Sequence, residues 1–556
     1  MSGPQFLSAA DAAELVEDGA VVATSGFNVM GVPEEMLRAL ETRFLRTGHP
    51  RDLTIMHSAS QSDRVNGVQR LCHEGMLGRV IGSHWGLAPK LGEFIARDQC
   101  EAYCVPQGQM VHLFRAMAAG RTGLLSPIGL RTFIDPRLDG GKMNTRTRNR
   151  PDLVKVVHVD GREYLYYAAV FPDVAIIRGT TADTRGNVTL DEEAVILEQL
   201  SIAQAVHNHG GLVIAQVKRV VAYGTLHPKR VAVPGVLVDV LVQAQVPDET
   251  HRQMQAASFN PAYSGDARVP LPNPEALDLD ARLIAGRRGA FELRPGDLVN
   301  LGIGIPGDTV GPVVTQEGMG GMVNITVESG AYGGIPAGGV DFGAVLNADA
   351  LIDHASQFDF YDGGGSDVTF MGCAQAARNG DVNVSLVSGR AIGCGGFIDL
   401  TQSAREVCFL MTFTSGGLRV SIDEGALRVI QEGSHSKFVE RVDQITFSGD
   451  LAREKGQRVV YVTERAVFEL GPEGLELVEV APGVDLERDI MALLPGRVPI
   501  SPALRLMDGR IFRPGRMHVA GEIAARGPRP RRGTRQAQPE SAEPALEDSP
   551  RGLLPF

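Results

Sequence analysis

An α/β fold in two homologous halves, each with a mainly parallel sheet covered by helices, follows from three features of the chain. Val- and Ile-rich stretches alternate with helical ones, as in residues 174–178, then 192–207, then 212–221, the pattern of parallel strands joined by crossover helices. The same plan occurs twice. DGAVVATSGFNVMGVP (residues 18–33) and PGDLVNLGIGIP (295–306) both run from a glycine turn through an apolar strand to further glycines and a proline. Asp173-Val174 precedes Gly186-Asn187-Val188 by the spacing at which Asp367-Val368 precedes Gly380-Asp381-Val382. Repetition in the same order points to two copies of one unit, with a longer insertion in the first.

Composition narrows the function classes. A chain of 556 residues is too long for one core. Its net charge of −12 and scattered basic residues exclude a nucleic-acid surface as the main function. No apolar run approaches the roughly 20 residues of a membrane span, and the N-terminal MSGPQFLSAADAAELVEDGA lacks a signal-peptide pattern, so a cytoplasmic, membrane-free protein is expected. Cys72, Cys100, Cys104, Cys373, Cys394 and Cys408 form no C-x-x-C pair and are read as reduced thiols with no metal site. Cys100 and Cys104, four apart, could share a helix face, but two ligands alone do not make a tetrahedral metal site.

Taken in order, residues 18–33 read as strand, loop and helix start. Residues 192–207 read as a helix, stopped by Gly210-Gly211, with His207 and His209 suiting its C-terminal dipole better than a metal. The first half is placed at residues 1–250. Prolines and polar residues then break the periodicity, giving a linker at 251–276. A helix over 278–289 opens the second half, 277–525. The Pro-, Arg- and Glu-rich segment 526–556 holds almost no core-forming residues and is expected to be disordered.

Three glycine-rich segments of the second half carry the chemistry. Gly302-Ile303-Gly304-Ile305-Pro306-Gly307 fits a dinucleotide fingerprint, but Pro306 falls inside it and the matching turn of the first half lacks it, which counts against nicotinamide binding. Residues 322–327 read as a strand that ends in Glu328, followed by glycines at 330, 333, 334, 338 and 339. A carboxylate at a strand end, trailed by residues without side chains, suits presentation of an oxygen nucleophile to a closely approaching ligand. Gly363-Gly364-Gly365 and Gly393-Cys394-Gly395-Gly396-Phe397 are either simple turns or bare backbone N–H groups facing phosphate or an oxyanion.

These residues resemble the family I coenzyme A transferases. Residues 18–33 are similar to that family's N-terminal signature, Pro106-Gln107-Gly108 to its Pro-Gln-Gly segment, Glu328-Ser329-Gly330-Ala331-Tyr332-Gly333 to its E-x-G-x-x-G motif, and Gly393 to Phe397 to its G-x-G-G-F loop. The likeness spans about residues 10–520. LSPIGLRTFIDPRLDGGKMN, AAVFPDVAIIRGTTAD and ASQFDFYDGGGSDVTFMG, with Ser329 where the ketoacid branch has Asn, look closest to the acetate and propionate CoA-transferases.

The resemblance implies CoA transfer from a short-chain acyl-CoA to a free carboxylic acid, by a ping-pong mechanism through a glutamyl-CoA thioester on Glu328. It implies an active site between the halves, oxyanion donors from Gln107 and the backbone of Gly395 and Gly396, and contact of Gly363, Gly364 and Gly365 with CoA. No cofactor is held permanently, CoA thioester being a substrate, and a homo-oligomer is expected. With an ordinary Glu pKa of about 4.3, Glu328 is expected to be ionised near neutrality and to need no general base. The alternatives are an acyl-CoA hydrolase on the same fold and a non-catalytic module that binds CoA esters.

Overall fold

The computed structural model describes residues 3–270 and 277–530. The first half is built on a sheet whose strands run in the order Gln5–Leu7, Val240–Gln243, Leu212–Val221, Val174–Asp183, Val21–Thr24, Leu53–His57, Leu77–Gly82 and Glu101–Cys104. Every neighbouring pair along that path is parallel. The central strands Val174–Asp183 and Leu53–His57 are wholly buried, as expected for a sheet covered on both faces.

The second half repeats the arrangement. Arg458–Val462, Glu406–Leu410, Val368–Gly372, Leu298–Leu301 and Asn324–Val327 are neighbours in that order and all parallel. They reproduce the sequence Val240–Gln243, Leu212–Val221, Val174–Asp183, Val21–Thr24, Leu53–His57. The Asp-Val pairs mark equivalent points. Asp173 accepts the Val21 N–H at 2.9 Å, and Asp367 accepts the Leu298 N–H at 3.0 Å, so each carboxylate satisfies the first donor of the adjoining strand.

The first half carries the longer insertion. Leu77–Gly82, Glu101–Cys104, the helix Gln107–Ala118 and an antiparallel sheet of Gly123–Ser126, Val154–Val159 and Arg162–Ala168 all intervene before Val174. Cys104 ends a strand, so Cys100 and Cys104 do not share a helix face. All six cysteines are free and buried. The helix expected at 192–207 is shorter, Gln199–Asn208, because residues 194–198 instead run against the second half, where Ile196 pairs with Asp353. The helix that opens the second half is Ala281–Ala290, capped by the Asp280 carboxylate on the Leu283 N–H at 2.8 Å.

The halves share one interior. A single apolar cluster joins Met110, Phe114 and Trp85 of the first half to Phe358, Ile398 and Phe409 of the second. A smaller one joins Phe27, Met30 and Leu197 to Val327, Ala331 and Phe342. Residues 251–270 of the expected linker pack into this junction: His251, Gln253, Met254 and Ala262 are buried, and the Gln255 and Ala256 N–H groups donate to Asp341 at 2.5 and 3.0 Å. Residues 271–276 lie outside the described residues.

The tail expected to be disordered from 526 starts too early. Arg529 binds Asp297 at 2.8 Å and also pairs with Glu406, Arg526 donates to the Phe291 carbonyl, and Arg405 donates to the Pro530 carbonyl at 2.6 Å. These arginines meet acidic and carbonyl groups of the chain itself, which composition alone does not reveal. Residues 531–556 lie outside the described residues. Among the described residues, no helix is long and apolar enough to cross a membrane.

The repeated aspartates are testable. Asp367→Ala strands the Leu298 N–H and should cost about 1–3 kcal/mol of unfolding free energy, read by urea denaturation. A change within experimental error would show that the paired aspartates do not hold the sheets.

Candidate active site

Ligands of parallel sheets sit beyond the carboxyl ends of the strands, and here the two sheets present those ends to each other. Phe27 and Asn28 follow Val21–Thr24, Ala59 and Ser60 follow Leu53–His57, His84 follows Leu77–Gly82, and Gln107 follows Glu101–Cys104. From the second half, Gly302 and Ile303 follow Leu298–Leu301, Glu328 follows Asn324–Val327, and Gly372 ends Val368–Gly372. Together with the loop from Ile392 to Phe397 they enclose a cavity of about 370 Å³. Glu328, Gln107, Gly395 and Gly396 all line it. A larger crevice of about 660 Å³ near the C-terminal arm has walls of mutually paired charges, among them Arg288 with Glu479 and Arg458 with Glu292, both at 2.6 Å.

Glu328 is the unusual group. It is 8 % exposed, and no side chain or backbone group among the described residues hydrogen-bonds or ion-pairs with it. The lining includes no Lys or Arg. Burial, with His57 nearby, pushes His84 down to about 4 and so keeps it neutral at neutral pH. Burial, reinforced by the charge of Asp399, raises Glu328 to about 8. This corrects the expectation from its ordinary pKa: Glu328 is mostly protonated at neutral pH, because desolvation disfavours the carboxylate.

The loop from Gly393 crosses from the second half to the first. Trp85 donates to the Ile392 carbonyl at 2.7 Å, Gly395 to the Ser83 carbonyl at 2.9 Å, and Gln107 to the Gly395 carbonyl at 3.0 Å. The Gly395 N–H is therefore occupied in fastening the halves, which removes it from the expected oxyanion donors. Among the described residues the Gly396 N–H has no such partner. Gly396 packs closely on the site: a Cβ there would lie 3.0 Å from the Glu328 carboxyl and 3.1 Å from the Phe358 ring, so a side chain would have to displace one of them by a few tenths of an ångström.

The glycines after Glu328 have a different role from the one expected. A Cβ at Gly330 would lie 2.0 Å from the Ile352 carbonyl, and φ there is +105°. This permits Ala331–Tyr332 to turn back onto Asn324–Val327. None of the five lines the cavity. Nor do Gly363, Gly364 and Gly365, which follow the helix His354–Asp362, Gly365 lying against the Phe360 ring. Gly302 and Ile303 of the fingerprint-like segment are cavity wall.

Sequence reasoning missed two buried networks behind the site. In one, Gln109 donates to Asp362 at 2.8 Å and to Asp399 at 2.9 Å. Burial raises both carboxyls, and the side chain of Gln109 and the N–H groups of Gly108 and Gln109 partly offset this at Asp399. Gly108 leaves room for Asp399, whose Oδ1 would lie 2.5 Å from a Cβ there. In the other, Gln107 meets His354 at 3.0 Å, His354 meets Glu198 at 2.9 Å, and Ser58 donates to Glu198 at 2.6 Å. The local signal for Asp399 was its place two residues after Phe397. His354 and Glu198 had none.

Among the described residues no group of three or more His, Cys, Asp or Glu could hold a metal. The arrangement can present one carboxylate, free of competing partners, to an electrophile in an apolar cavity. Modification of Glu328 by a carboxylate-directed electrophile, which only the ionised form undergoes, should rise with pH through about 8. Asp399→Asn removes a charge that holds the pKa up, so the midpoint should move to lower pH; the rate of that modification from about pH 6 to 9 would measure it. An unmoved midpoint would show that Asp399 does not act on Glu328.

Comparison with known proteins places the chain. The coenzyme A transferase family model matches residues 6–244. The caffeate CoA-transferase of Acetobacterium woodii is 42 % identical over 514 residues, 91 % of this chain and 97 % of that one. Acetate CoA-transferase YdiF of Escherichia coli K12 is 42 % identical over 509 residues, 91 % of this chain and 94 % of that one. A crystal structure of acyl-CoA transferase YdiF from E. coli O157:H7, a thioester complex with CoA, superposes with a TM-score of 0.86 at 40 % identity, covering 93 % of this chain and 98 % of that one.

Proposed function

The chain belongs to the coenzyme A transferase family, and from that membership we propose that it moves CoA from a short-chain acyl-CoA to a free carboxylic acid through a thioester on Glu328. The observation that carries the reading is the buried, unpartnered Glu328 carboxyl packed against Gly396 in a cavity shared by both halves. A carboxylate held by an arginine or by backbone donors would be a poor nucleophile. Once ionised, this one has no hydrogen bond or ion pair among the described residues to break before it attacks.

In the first step a Glu328 carboxylate oxygen attacks the thioester carbonyl, and collapse of the tetrahedral adduct releases CoA thiolate and leaves an acyl-glutamyl anhydride. The thiolate then attacks the glutamyl carbonyl, and the acid departs with one oxygen that began on Glu328. An incoming carboxylate repeats these steps in reverse. Each bond broken is replaced by one of similar energy, so no ATP is required. The Gln107 amide and the Gly396 N–H are the donors for the oxyanions, each worth roughly 3 kcal/mol in such a site.

Water has to be excluded from the anhydride, and the apolar walls from Phe27, Leu87, Ile303, Met371, Val384 and Phe397 support that role. A cavity of about 370 Å³ takes the acyl group and the thiol end of CoA. One relative is named for acetate and another for caffeate, and these two acids are the competing substrates for the assay.

Intact-protein mass analysis after mixing with acetyl-CoA or propionyl-CoA tests the proposal. A covalent CoA adduct should form on the wild type and disappear on addition of acceptor acid. Glu328→Ala should form none and lose transfer by on the order of 10³-fold or more. A wild type with neither adduct nor transfer would sink the reading, and hydrolysis as fast as transfer would favour the hydrolase.

A further inference from the structure

We propose that His354 and Glu198 are positioning residues for the transfer reaction, setting the Gln107 amide so that one of its N–H bonds is left for the oxyanion. The inference deepens the CoA-transferase reading and rests on it.

A primary amide at the edge of a cavity can rotate, presenting either its carbonyl or its NH2 to a reacting carbonyl oxygen. Only the NH2 stabilises an oxyanion. The chain behind Gln107 removes the choice. Ser58 Oγ donates to Glu198 Oε1 at 2.6 Å, leaving Oε2 to accept from His354 Nδ1 at 2.9 Å. A ring that carries its proton on Nδ1 offers a lone pair at Nε2, and Nε2 lies 3.0 Å from Gln107 Nε2. The amide nitrogen therefore faces the histidine with one N–H engaged. Among the described residues, no other group hydrogen-bonds to that nitrogen.

Burial makes the orientation costly to reverse. Ser58 and His354 are 0 % exposed, Gln107 2 % and Glu198 3 %. Turning the amide would set its carbonyl oxygen against the His354 lone pair, with no water to compensate. The backbone holds the two ends in place: His354 N–H donates to the Ile196 carbonyl at 2.9 Å, and Gln107 N–H to the Gly395 carbonyl at 3.0 Å. Three members come from the first half and His354 from the second, so the amide is set only when the halves are joined.

The test compares His354→Gln, whose carbonyl can replace Nε2 as acceptor, with His354→Leu, which has no acceptor, and adds Glu198→Gln, which removes the demand for a proton on Nδ1. Rapid-quench formation of the Glu328–CoA adduct should slow by roughly 10- to 100-fold in His354→Leu and Glu198→Gln, with KM for acyl-CoA nearly unchanged, and recover in His354→Gln. In a Gln107→Met background, His354→Leu should add little further loss, because the group it positions is gone. Wild-type rates in both His354→Leu and Glu198→Gln would overturn the proposal. So would losses that add fully to that of Gln107→Met, or a His354→Gln variant no better than His354→Leu. Failure of the wild type to form any adduct would instead overturn the CoA-transferase reading.

Discussion

The site depends on one unfavourable arrangement: a carboxyl buried between two sheets with no partner for its charge. Most buried carboxyls are satisfied by an arginine, as Glu193 is by Arg178 at 2.7 Å and Glu479 by Arg288 at 2.6 Å in this protein. Among the described residues Glu328 has neither a cation nor a hydrogen-bond partner, and burial with the charge of Asp399 raises its pKa to about 8. The surroundings keep it that way. Apolar walls deny it water, Gly396 gives it space, and the buried Asp399 adds repulsion to desolvation. Such surroundings favour an uncharged carboxyl, and a carboxyl joined covalently to an acyl group is likewise uncharged.

The duplicated architecture explains how such a site can be built. Each half alone is an open parallel sheet with loops at the carboxyl ends of its strands, and loops alone seldom exclude water. Set end to end, the two sheets close a cavity that neither has by itself. Glu328, the proposed nucleophile, comes from one half, and Gln107, which lines the same cavity, from the other. The contacts that close the junction are the contacts that arrange the chemistry: the Gly395 N–H and carbonyl bind Ser83 and Gln107, and the Ile196 carbonyl fixes the residue beside Gln107.

The cavity residues were legible in the sequence, and their burial was not. Glu328, Gln107, Gly396 and the duplicated strands could be read because each is carried by a short motif or a repeated spacing. The raised pKa of Glu328 depends on walls contributed by both halves, so its ordinary value misled. Gly330 looked like space for a ligand and proved to be space for a turn, since both need a residue without Cβ. The chain from Ser58 to Gln107 spans separations of 140, 156 and 247 residues, with no periodicity to connect them. Arg529 sits in a stretch whose composition reads as disordered, and only its partners Asp297 and Glu406 show otherwise.

The claim that Glu328 is the covalent carrier is tested most directly by following oxygen. Turnover with an acceptor acid labelled with ¹⁸O in its carboxylate should place heavy oxygen in the proteolytic peptide that contains Glu328, and on later turnovers in the acid released from the donor. Transfer that proceeds with no label in that peptide, or with its new oxygen drawn from solvent water, would contradict the account.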